Sequence, residues 1–208
     1  MFLLRLRLPD RPGSLGAVAS ALGGALADIH AVEIIEKNAD HAVDDFVVEL
    51  PTGVQPDRLV SACAGVPGVE VLWLSFYPSN WGLHADVEAF DAIAEHPDQA
   101  ADILLESAPA VFRVTWAALV DLQDGRVLGR TGLAPETETF PTELLPDAEG
   151  VADLPAEWLP GWPETLVAAA PVGGSRRIVI ARTGGPAIRT SELARLRYLA
   201  ALAQQSGD

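Results

Sequence analysis

The sequence predicts an α+β chain of two modules, and three observations carry that expectation. Residues 3–22, LLRLRLPDRPGSLGAVASAL, pass from a strand-like alternation through a Pro-Gly turn into helical spacing. Two further strands, a second helix and a fourth strand follow before residue 77. A run of turn formers at residues 78–82, PSNWG, then interrupts the pattern, and a separate set of helices and strands begins.

The first strand places Leu4, Leu6 and Leu8 on one face and Arg5 and Arg7 on the other, the period of two of a half-buried strand. Leu15, Val18, Leu22 and Leu26 recur at three to four residues and predict the buried stripe of a first helix. Between them Pro12 fixes the backbone and Gly13 allows close approach. The first amides of the helix, at Gly13, Ser14 and Leu15, can then face an anion. Gly23-Gly24 ends or weakens that helix. Residues 29–36 and 42–50 read as strands paired antiparallel around the turn at Asn38-Ala39-Asp40-His41. Pro56 opens a second helix with Leu59, Cys63 and Val66 on its buried side; Pro67-Gly68 breaks it, and residues 69–76 form the fourth strand. The order strand, helix, strand, strand, helix, strand makes two split βαβ units, with both helices on one face of a four-stranded sheet. This is a ferredoxin-like βαββαβ sandwich.

Residues 84–95 and 98–108 read as helices, with Val87, Phe90, Ile93 and Ala94 on the first and Ala101, Leu104 and Leu105 on the second. Residues 111–121 read as a strand, and Asp124-Gly125 is a hairpin signal leading into 126–130. Residues 134–164, dense in Pro, Glu and Thr, predict a long loop, a lid or a short-helix excursion. Strands at 165–171 and 177–182 follow, joined at Gly173-Gly174. A closing helix at 191–204 carries Leu193, Leu196, Leu199, Ala200 and Ala203 on one side.

Composition narrows the function classes. Of 208 residues, 49% are hydrophobic and 21% charged, the values of a folded rather than a disordered chain. The net charge is -15, and acidic residues outnumber basic ones on both sides of Tyr77. With Arg176-Arg177 the only basic pair in the second half, nucleic acid and anionic membranes are disfavoured partners. No run approaches the length of a membrane span, and no leader-like segment is visible. A lone cysteine, Cys63, excludes an intrachain disulfide and a cysteine-based zinc cluster, which points to a cytoplasmic protein. His30, His41, His84 and His96 show no metal-ligand spacing. Gly125 to Gly132 lacks the pattern of a phosphate loop, so no cofactor is implied. Asp44-Asp45 reads as a solvated face, Arg182 as an exposed strand-end arginine, and Trp116 as a core residue. Trp81, Trp158 and Trp162 are expected in core or interdomain packing. No catalytic constellation stands out.

On Asp10-Arg11-Pro12-Gly13-Ser14-Leu15, on Ala27-Asp28-Ile29 after the helix, and on the element order, residues 1–77 resemble an ACT domain, the small regulatory module that binds amino acids. The resemblance implies a non-catalytic regulatory protein whose ligand lies between this turn and the start of the second strand, often across a subunit interface. The matching positions are Asp10, Arg11, Gly13, Ser14, Leu15, Asp28, Ile29 and His30. The amides would face an α-carboxylate, and Asp10 and Asp28 are the candidate acids for the ammonium. Leu8 stands where several amino-acid-binding relatives carry histidine and Asp28 where they often carry asparagine, departures that count against a serine-type ligand. Residues 83–208 are similar to a reduced GAF domain in element order and in the tail from Ile180-Ala181-Arg182 through Gly185-Pro186 to Ser191-Glu192-Leu193. Nothing beyond fold is carried over from it. The expected assembly is at least a homodimer with a small amino acid as ligand. The alternatives are a ligand-free interaction protein and an accessory subunit of an amino-acid metabolic enzyme.

Overall fold

In a computed structural model, residues 1–77, 84–146, 150–155, 157–158 and 164–206 are described. The expected linker at 78–82, with Trp81, and Trp162 in the later loop lie outside them. The chain divides into two compact units, Met1–Leu83 and His84–Asp208, and is mixed α+β, with two antiparallel sheets and five α-helices among the described residues.

The first unit runs β1 (Phe2–Pro9), α1 (Ser14–Gly24), β2 (Asp28–Lys37), β3 (His41–Glu49), α2 (Asp57–Ala64) and β4 (Glu70–Phe76), with its sheet in the order β2-β3-β1-β4. Period-two alternation sends Leu4, Leu6 and Leu8 of β1 and Phe46 and Val48 of β3 to one face. There they meet Val18 and Leu22 of α1 and Leu59 and Cys63 of α2. On the opposite face Leu3, Val47 and Tyr77 cluster beside Met1, Ala31 and Trp73.

Three expectations for this unit need correction. Leu15 and Leu26 are exposed, so only Val18 and Leu22 form the buried stripe of α1. The helix ends at Gly24 and Leu26 takes a left-handed φ of 69°, which turns its side chain away from the helical period. Val66 falls beyond the end of α2 and is only partly buried. The Asp44-Asp45 pair is buried rather than solvated. Asp45 faces Arg5 across the β1–β3 ladder and takes its guanidinium in a two-pronged bridge, Nε to Oδ1 at 2.6 Å and Nη2 to Oδ2 at 2.9 Å.

The second unit comprises α3 (Ala85–Glu95), α4 (Ala100–Phe112), β5 (Trp116–Asp121), β6 (Val127–Arg130), β7 (Ala152–Leu154), β8 (Thr165–Pro171), β9 (Arg176–Thr183) and α5 (Thr190–Ser206). Its sheet runs β6-β5-β9-β8-β7. The helices pack on one face, where Leu104, Leu105, Ala108 and Phe112 of α4 and Leu196 and Leu199 of α5 meet Ala117, Leu119, Ile178 and Ile180. The other face buries Trp116, Val167 and Val179 with Phe140 and Leu154 from the long loop, and Trp158 packs against Phe140 at 4.7 Å.

Here too the elements shift. Residues 111 and 112, expected in a strand, complete α4, which carries Pro109 inside it and ends at a left-handed Arg113. A proline removes its own amide donor and crowds the carbonyl four residues before it, and the helix continues for only three more residues before the chain leaves it. The helix starts after a 3-10 turn at Pro97–Gln99. On α3 the buried residues are Ala89 and Ile93, while Val87 and Phe90 face outward. The long loop contains a 3-10 turn at Thr142–Leu144 and the short strand β7, neither of which has a readable period.

Candidate functional site

Gly13 is the N-cap of α1, held at φ 93°, and no side chain caps the helix. Such a φ costs glycine nothing and a larger residue a clear strain. The Ser14 amide donates to the Arg11 carbonyl at 3.2 Å, so of the three amides expected to face a ligand this one is already taken. Ser14 therefore neither caps the helix nor offers its backbone donor, and of the other two positions Gly13 lines the adjoining cleft whereas Leu15 does not. The turn opens on a cleft of about 370 Å³ lined by Pro9, Arg11, Pro12, Gly13, Ser14 and Ala17 on one side and Val66, Pro67 and Val69 on the other. Gly68, at φ 81°, keeps that second wall close, since a Cβ there would lie 2.8 Å from Pro9 Cγ.

The lining is chemically one-sided. It combines a helix N-terminus, the exposed Arg11 guanidinium and the Ser14 hydroxyl with apolar Pro and Val surface, and it holds no carboxylate. Asp10, the expected ammonium partner, lies outside the lining and bonds Lys37 Nζ at 3.0 Å. That ion pair closes β1 against the end of β2, which runs parallel to it with β3 between.

Asp28, Ile29 and His30 sit elsewhere. Asp28 pairs with Glu49 beyond the Phe2–Val48 end of the sheet, whereas Asp10 follows the Pro9–His41 end. Eight residues of strand separate the two ends, roughly 23 Å at the usual rise. Within one chain the eight positions therefore form two groups rather than one site. Ile29 belongs to the apolar core, Asp28 is exposed, and His30 Nε2 stands 3.0 Å from Glu49 Oε2 and 4.0 Å from Asp28 Oδ2.

Asp44, expected on a solvated face, is instead covered. It lies on β3 opposite Leu6, is 3% exposed, and leaves Oδ1 buried without a hydrogen-bond partner. Burial raises its pKa first, neighbouring Asp45 and Asp10 raise it further, and Lys37 lowers it. Two adjacent acids on a strand must face opposite sides of the sheet, a signal that at least one would be covered. Arg182 was also misread. It is 1% exposed and bonds the carbonyls of Phe112 and Arg113 at 2.7 and 3.3 Å and Glu192 Oε1 at 2.7 Å.

No family model matches the chain, and no curated protein matches it. Among solved structures it is similar to an unknown protein from Galdieria sulphuraria, at 15% identity over 86% of this chain and 79% of that one, with a TM-score of 0.31. It is also similar to a protein from Bacteroides thetaiotaomicron, at 14% identity over 94% of this chain and 84% of that one, with a TM-score of 0.30. At these scores neither likeness bears on function.

Among the described residues no group of three His, Cys, Asp or Glu is placed to hold a metal ion, and no helix is long and apolar enough to cross a membrane. The one cysteine, Cys63, is buried in the first core, and burial pushes its thiol up to about 11. A thiol held protonated in this way is a poor nucleophile.

Proposed function

We propose that the chain is a non-catalytic regulatory protein that binds a small amino acid through an ACT domain at residues 1–77, with a GAF-like domain at 83–208 that passes the signal on. The observation that carries this reading is the uncapped start of α1 opening on a cleft of about 370 Å³ with Arg11 at its rim. A carboxylate there meets the Gly13 amide and the Arg11 guanidinium, and a small apolar side chain rests on Val66, Pro67 and Val69. The cleft supplies no acid for the ammonium. Asp28 lies about 23 Å away on the same chain, so a ligand touching both groups requires a second copy of the protein. The outer strand β2 offers a surface for that copy, with Val32 and Ile34 41% and 60% exposed at the edge of the sheet. Ligand binding across such an interface would change the stability of the dimer, the differential affinity that regulation needs.

The same exposed edge favours a second reading, an interaction module that binds a protein and no ligand, including an enzyme of amino-acid metabolism. Both readings place the protein in the cytoplasm, where a single buried thiol needs no oxidising partner. Calorimetry of the full chain against each of the twenty amino acids separates them. Saturable heat with one or a few amino acids, lost in Asp28→Ala and accompanied by a change in sedimentation, supports the sensor. Flat heats throughout leave the interaction module.

A further inference from the structure

The second unit carries a groove that the proposed function does not use. It has a volume of about 520 Å³ and lies between β6 and the segment at residues 137–139, lined by Asp124, Arg126, Val127, Leu128, Gly129, Arg130, Thr137, Glu138 and Thr139. Its walls are tied together by the backbone: Val127 N donates to Glu138 O at 2.8 Å, Phe140 N to Gly125 O at 2.7 Å, and Arg126 bridges Thr139. The Arg130 guanidinium is planted, with Nη1 donating to the carbonyls of Pro135 and Thr137 at 3.3 Å each and the rest of its fork left over. Asp124 holds the turn through Oδ1, which accepts the Arg126 amide at 3.0 Å.

The charges in this groove are balanced and kept apart. Two guanidinium groups and two carboxylates share one lining, and no salt bridge joins either arginine to Asp124 or Glu138; the ladder register places Arg126 with Thr139 on one side of β6 and Arg130 with Glu138 on the other. Opposite charges on an open surface gain by meeting, so a lining that separates them leaves each able to engage a ligand. A purely anionic ligand at Arg130 would face Glu138, and a purely cationic one at Glu138 would face Arg130. A molecule carrying both charges a few ångströms apart satisfies both, and exposed Leu128 supplies an apolar wall beside them. We propose that this groove is a binding site for a small zwitterion of the α-amino acid class, its carboxylate on Arg130 and its ammonium on Glu138. It is a site separate from the turn at Gly13, and it stands or falls without that one.

Residue-resolved NMR of the full chain tests it. Each of the twenty amino acids is titrated singly, and the best binder is compared with its N-acetyl and methyl ester forms, which remove the ammonium and the carboxylate in turn. The expected result is saturable shifts at the amides of 126–130 and 137–139. Either modification, or Arg130→Gln, should weaken binding by about tenfold or more, the order expected for a lost charge-assisted contact. Glu138→Gln should weaken the zwitterion and leave the N-acetyl form unaffected or improved. Arg126→Gln, on the other side of the strand, should leave binding unchanged, and the methyl ester comparison carries the carboxylate test should Arg130→Gln unfold the loop, as circular dichroism would show. The proposal is overturned if no amino acid shifts these amides at millimolar concentration, or if the N-acetyl form binds as tightly as its parent. Shifts confined to residues 13–17 would overturn it while supporting the other site.

Discussion

Arg182 on β9 and Glu192 in the first turn of α5 meet at 2.7 Å, with 1% and 3% of their surfaces exposed. The pair is part of a junction. Arg182 also holds the carbonyls of Phe112, Arg113, Pro186 and Ala187, and Glu192 Oε2 accepts the Arg189 amide at 2.9 Å. One side chain thus ties the end of α4, the loop before α5 and the start of α5 to the sheet. Removing one member of a buried pair leaves the other charge without its partner, so Arg182→Ala should destabilise the second unit by roughly 3–5 kcal/mol. Replacing both by apolar residues, Arg182→Met with Glu192→Leu, should cost clearly less in urea unfolding. An equal or larger loss in the double variant would show that the carbonyl bonds, rather than the ion pair, dominate the junction.

That junction shows what periodicity conveys and what it omits. Alternation along β1 assigned Leu4, Leu6 and Leu8 to the core face correctly, because the side of a sheet is a local property of the chain. What covers the opposite face is not local, so Arg5, Asp45 and Arg182 could not be recognised as buried from their own segments. The turn at Gly13 was legible because Pro and Gly restrict the backbone by themselves. The separation of Asp10 from Asp28 follows from the strand order, and the element order already contained it. The groove at β6 was not legible, since its walls are joined by the backbone bonds of residues 125–127 to 138–140 across a loop without period.

Asp44 makes the stability of the first unit depend on pH in a direction unusual for a carboxylate. Its folded pKa is raised by burial and by the charges of Asp45 and Asp10. Its contribution is therefore fully present below the unfolded value of 3.8 and is lost as pH rises through the folded value. Asp44→Asn keeps the shape and removes the charge. The variant should be more stable than the parent at neutral pH, with the gap closing on acidification. Melting curves across the pH range check this, and a variant less stable at neutral pH would mean that the buried carboxylate has a partner worth more than its desolvation costs.

Cys63 offers a probe of the same core. The thiol is wholly buried and its pKa stands at about 11, so little thiolate forms near neutrality. A disulfide reagent at pH 8 should leave the native chain unmodified and titrate one thiol after denaturation. The rate of modification at increasing denaturant then reports opening of the first unit by itself. Rapid labelling of the native protein would place Cys63 outside the core described above.

Two glycines should respond to alanine in opposite ways. Gly125 is held at φ 73° in the turn before β6, and a Cβ there would lie 2.7 Å from the Phe140 carbonyl oxygen, which is backbone and cannot swing aside. Strain and clash together should cost about 2 kcal/mol or more in Gly125→Ala. Gly16 lies inside α1 with nothing within 4 Å of its added Cβ, and it does not line the cleft at Gly13. Helix propensity then favours alanine by about 1 kcal/mol, so Gly16→Ala should raise the stability of the first unit. Because the two substitutions fall in different units, their effects should add in the double variant. A shift of the Cys63 labelling transition in the first unit by Gly125→Ala in the second would show that the two units unfold as one.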